Sequence, residues 1–168
     1  MNTNSVPTQH ANKLQELVSK SAKHLKRGKN IPSLMYVGNS VTGFMIEVPI
    51  DLRSNNTKES SAAHARMVAA VIGSDFVITV TEGWCLPENQ HPNRDEIIKR
   101  YGSIKAYPHR VEIAFFLLET HHNFHFAMVP ILSSRLSGKR RQLGEVTWTC
   151  LPTVEGRFTA ILPALTPR

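Results

Sequence analysis

The sequence has little of what would tie it to a familiar chemistry. Its two cysteines, Cys85 and Cys150, lie far apart and form no Cys-x-x-Cys pair. A chain of 168 residues can bury a core without covalent staples, so no disulfide framework is required and a reducing compartment is expected. The longest apolar run, Ile113 to Leu118, is far short of the roughly 20 residues needed to span a bilayer. The opening MNTNSVPTQHANK has no basic stretch followed by an apolar one, so it does not read as a secretory leader. A cytoplasmic protein with no membrane association is the expectation.

Catalytic signatures are equally scarce. Neither the dinucleotide string G-x-G-x-x-G nor the phosphate loop G-x-x-x-x-G-K-[ST] occurs, and G-x-S-x-G and H-E-x-x-H are missing too. His64-Ala65-Arg66 places an arginine where a zinc deaminase needs its glutamate. There are no repeats and no low-complexity tracts. No cofactor is expected.

What the chain does have is positive charge in two places. Its net charge is +7, yet residues 1–30 alone contribute +5 through Lys13, Lys20, Lys23, Lys26, Arg27 and Lys29 against Glu16. Residues 133–142 contribute +4 through Arg135, Lys139, Arg140 and Arg141, which leaves −2 for the remaining residues. Such segregation points to an acidic partner, nucleic acid or a negatively charged protein face. The plain alternative is a set of solvated bases that keep a small protein soluble.

Periodicity supplies the elements. Residues 1–10 read as a flexible terminus, and 11–165 as a single domain. Leu14, Leu17, Val18, Ala22 and Leu25 form a stripe at helical spacing over residues 11–27, closed by Gly28. Strands are expected over 33–37 and 42–50, with Pro49 marking an edge or a strand end. An alanine-rich helix over 58–72 ends at Gly73, and Asn56 with Glu59 has capping-box spacing. Residues 75–81 form a β-branched, central strand. Irregular chain from Glu82 to Pro92 precedes a short helix ending at Tyr101, opened by Asn93 and Glu96. Hairpins follow over 110–120 with 124–132, and over 144–151 with 157–162. The fold class is therefore α+β: a mainly antiparallel, twisted sheet of about six to seven strands, two main helices packed on one face, and a short third helix.

Two constellations could carry chemistry. Glu82-Gly83-Trp84-Cys85 leaves the central strand, and His109-Arg110-Val111-Glu112 opens the next. If those strands pair, Glu82 or His109 could act in acid–base work while Arg110 holds an anion, with Glu112 beside it. Equally, Trp84 could cap the core and Arg110 with Glu112 form a solvated pair. Cys85 would need a base such as His91 or His109 to become a nucleophile; a structural thiol is the simpler reading. His121, His122 and His125 cluster at a turn, and His121 with His125 is the one metal-ligand candidate, although only Glu119 lies beside them. Ordinary turn residues account for them as well.

The Glu-x-Trp after a strand and the Arg-x-Glu on the following one, as in Thr81–Cys85 and Arg110–Glu112, resemble an arrangement in small bacterial and mobile-element proteins. The resemblance implies no activity. The expected function is a basic binding module docking nucleic acid or an acidic protein surface through Lys20, Lys23, Lys26, Arg27, Lys29, Arg135, Lys139, Arg140 and Arg141. A bacterial or phage accessory or inhibitor protein fits that size and lack of motifs. The alternative is a small enzyme built around Glu82, His109, Arg110 and Glu112, and a third reading is a homo-oligomer pairing through an exposed edge strand.

Overall fold

A computed structural model describes residues 6–133 and 141–164. Helix α1 (Thr8–Lys26) leads into a hairpin of β1 (Leu34–Asn39) and β2 (Phe44–Pro49). Helix α2 (Asn55–Ile72) returns the chain to β3 (Phe76–Cys85), and a short α3 (Arg94–Tyr101) precedes β4 (Val111–Thr120) and β5 (Phe124–Ser133). Two three-residue strands follow, β6 (Arg141–Leu143) and β7 (Thr149–Leu151). All pairings are antiparallel in the order β2-β1-β3-β4-β5-β6, with β7 also on β5. The α+β class and the seven-stranded antiparallel sheet match expectation.

Residue parity assigns each helix to a face. Tyr36, Ile78, Val80, Ala114 and Phe116 cluster with Leu14, Leu17, Val18 and Leu25 of α1. Their strand neighbours Met35, Val37 and Val77 cluster instead with Ala62, Ala65 and Ala69 of α2. Successive residues of a strand point to opposite sides, so the two main helices lie on opposite faces of the sheet and do not share one. Burying each α1 leucine contributes about 1.5–3 kcal/mol. On the other face the alanines let α2 lie close against β1.

Several local differences have identifiable causes. Helix α1 begins at Thr8, and His10 is buried with its ring 4.7 Å from that of Phe76. The α2 capping box is made by Ser54 and Thr57, not by Asn56 and Glu59: the Ser54 hydroxyl accepts from the Thr57 amide and the Thr57 hydroxyl from the Ser54 amide. Gly73 closes α2 at a φ of 58°, a conformation glycine adopts without penalty. Asn93 precedes α3 without a side-chain cap.

Strand β3 runs four residues beyond Thr81, because Glu82 to Cys85 pair in register with Ala114 to Val111. The final hairpin does not form. Residues 149–151 pair with β5 instead, and 157–162 fold as turns over α2. Ala160 takes a φ of 53°, which no strand accommodates. Arg66 of α2 donates to the Ala160 carbonyl, and Arg157 donates to Glu59 at 2.6 Å. Phe158, Ile161 and Leu162 join the α2 core.

Candidate functional site

Helix α1 and strand β3 run side by side. His10, near the helix start, meets Phe76, and the helix C-terminus reaches Ile31 and Val80. Beyond that point the helix no longer covers the sheet, yet β3 continues. Glu82, Trp84 and, across the strand pair, Glu112 therefore stand on the helix-bearing face just past the end of α1.

Arg141, at the start of β6, ties this region together. Its Nη1 donates to Glu112 Oε1 at 2.8 Å and to Glu82 Oε2 at 3.4 Å. Its Nη2 donates to the Lys29 carbonyl at 3.1 Å and to Asn30 Oδ1 at 2.7 Å. The Ile31 amide supplies a further donor to Glu82 Oε1. Side-chain exposures of 15% for Arg141, 16% for Glu82 and 21% for Glu112 place the cluster at the edge of the interior. The planar fork of arginine suits this task, since it can satisfy carboxylates and a backbone carbonyl at once. Arg141, expected to face a partner, is turned inward.

Arg110 does not pair with Glu112. Its guanidinium lies 4.5 Å over the Trp84 ring, and its Nη1 donates to the Tyr107 carbonyl at 3.2 Å. An open groove of about 410 Å³ runs here between Trp84, Pro108, Arg110, Glu112, Ile131 and Ser133. His109 is elsewhere: its ring is edge-on to Tyr107 at 5.6 Å, and it lines a separate groove with residues of α3. Of the four acid–base candidates, Glu82 and Glu112 meet through Arg141, Arg110 flanks them on Trp84, and His109 is not among them. Burial pushes the Cys85 thiol up, away from the thiolate a nucleophile needs, and His91 Nε2 is engaged with the Leu86 carbonyl.

His121 and His125 occupy different settings. His125 is buried on β5 opposite Leu118, while His121 sits in the turn after β4. Among the described residues no three His, Cys, Asp or Glu side chains gather as a cation site. His10, whose pKa burial lowers, feels Asp75 and His125 as its nearest charged influences.

The α1 bases divide into two groups. Lys13 pairs with Glu16 at 2.9 Å, and Lys20 with Glu47 at 3.7 Å. Both ammonium groups lie about 6 Å from the Tyr36 ring, whose hydroxyl is pushed up to about 12 by burial and the nearby Glu47 and Glu16. Lys23, Lys26, Arg27 and Lys29 are exposed and take part in none of the ion pairs among the described residues. Arg135, Lys139 and Arg140 lie outside the described residues, between Ser133 and Arg141, which are themselves partners across β5 and β6.

No family model, curated protein or solved structure matches this chain, so the likeness to small bacterial and mobile-element proteins adds no assignment. No helix among the described residues is long and apolar enough to cross a membrane.

Proposed function

We propose that the protein docks an acidic macromolecule through the end of the molecule where α1 finishes. One observation carries the reading: Arg141, the last base of the second positive stretch, donates to the carbonyl of Lys29, the last base of the first. Arg141 and Lys29, 112 positions apart in sequence, thus meet at one place in the fold. Lys23, Lys26, Arg27 and Lys29 supply unpaired charge there, and the sequence adds Arg135, Lys139 and Arg140 between Ser133 and Arg141. Arg141 itself contributes architecture and not free charge, since Glu82 and Glu112 occupy it.

Binding of this kind is dominated by counterion release and weakens steeply with salt. Four phosphate contacts correspond to a slope of about −3 in log affinity against log salt. The test is association with heparin and with nucleic acid between about 50 and 200 mM salt, for the wild type and for Lys26→Glu with Arg27→Glu and Lys29→Glu. Salt-sensitive binding that the triple variant loses, at an unchanged unfolding midpoint, supports the reading. Binding that is absent, insensitive to salt or indifferent to the substitutions overturns it.

A further inference from the structure

The exposed bases at the end of α1 adjoin an aromatic side chain that their own segment lacks. We infer that the acidic occupant of this end is single-stranded nucleic acid, and that the Trp84–Arg110 pair is the platform on which an unpaired base stacks. The inference rests on the docking reading above and names the class of its partner.

Trp84 reaches this place because β3 continues past Val80, the last β3 residue in the core beneath α1, so the ring stands on the α1-bearing face outside that core. It is half-buried and flanks an open groove, whereas Trp148 is 5% exposed and packs in the core. Arg110 lies over the Trp84 ring with its Nη1 anchored on the Tyr107 carbonyl. An indole and a planar guanidinium are both side-chain surfaces on which unpaired bases stack. Glu112, the carboxylate that lines the groove, shares Arg141 with Glu82; Arg110 over the ring offsets the one negative charge that this trio retains, and the free positive charge comes from the exposed α1 bases.

A single guanidinium separates the groove from Lys29. A strand whose base rests on the pair would run its phosphates toward the end of α1, where Lys26, Arg27 and Lys29 are exposed. Duplex bases keep their faces covered by their neighbours in the stack and offer none to Trp84. An acidic protein surface would engage the lysines but has no use for the ring.

The experiment titrates the full chain with a single-stranded oligonucleotide, its duplex form, heparin and poly-glutamate at one salt concentration, following tryptophan emission and anisotropy. The expected result is tighter binding of the single strand with quenching of Trp84 emission. Trp84→Ala should weaken that binding about tenfold and leave heparin binding unchanged, while Trp84→Phe recovers most of the loss. Binding of the single strand and heparin that Trp84→Ala leaves equally intact would overturn the stacking platform while the docking reading stands. Preference for the duplex or for poly-glutamate would do the same. If none of the four polyanions binds, both fall together.

Discussion

The two ends of the sheet hold carboxylates in opposite ways. At one end Glu119 is 4% exposed, and its Oε1 accepts from the amides of Ile161 and Leu162 at 2.9 and 3.1 Å. Its Oε2 has no hydrogen-bond partner among the described residues. Burial raises its pKa, more than the two amides and Arg66 lower it. At the other end Glu82 and Glu112 share a guanidinium near the surface. Amide donors let a carboxyl be covered by chain, and residues 156–162 do cover that end. A guanidinium ties two carboxylates together without covering them, and the groove beside Trp84 is open. One end is closed by packing, and the other is organised by charge.

The largest expected effect breaks the charged end. Arg141→Ala leaves Glu82 and Glu112 without their counterion in a partly buried site, and should cost about 3 kcal/mol in urea unfolding. Arg141→Lys restores charge but not the four-acceptor fork, and should recover less than half. A wild-type midpoint in Arg141→Ala would mean that the tie contributes nothing and that the two ends do not differ as described.

Next comes the packed end. The Phe76 ring lies across Gly38, its partner between β1 and β3, and a Cβ at position 38 would run into that ring. Gly38→Ala should therefore cost about 2 kcal/mol through overpacking, and Gly38→Ala with Phe76→Leu should recover part of it. Equal stability of Gly38→Ala and wild type would show that this end yields where close packing is claimed.

The smallest effect concerns pH. Because the folded-state pKa of Glu119 lies above its ordinary 4.5, the native state retains a proton that the unfolded chain releases. Stability from this group is complete below pH 4.5 and is lost as pH climbs through the raised folded value. Glu119→Gln keeps an acceptor for the Ile161 and Leu162 amides and abolishes that loss. Relative to wild type, the variant should gain in melting temperature as pH rises above 4.5. A difference that does not change with pH would place an ordinary carboxylic acid at this position.

Legibility in the sequence followed the range of the interactions involved. The stripe Leu14, Leu17, Val18 and Leu25 named α1 because helix burial is periodic. Strand 76–81 announced itself through β-branched residues, but its continuation to Cys85 depends on β4 lying alongside, and polar Glu82 with Gly83 gives no local hint of that. The apolar residues Phe158, Ile161 and Leu162 were read as a strand, although their burial against α2 needs no ladder. Glu82 and Glu112 stand out as candidates for chemistry, whereas Arg141 stands out only as a docking base and not as their partner. Arg141 in a run of bases looks like any other surface arginine, and Lys29 and Asn30 carry no signal that a side chain over a hundred positions away will reach them.

That tie also bears on how the protein is made. A ribosome that has synthesised α1 and the first four strands has delivered Glu82 and Glu112 without the guanidinium they share, since Arg141 follows β5. The nascent chain can wind its first helix early, but Arg141 can clasp residues 29 and 30 to the sheet only after β5 has emerged.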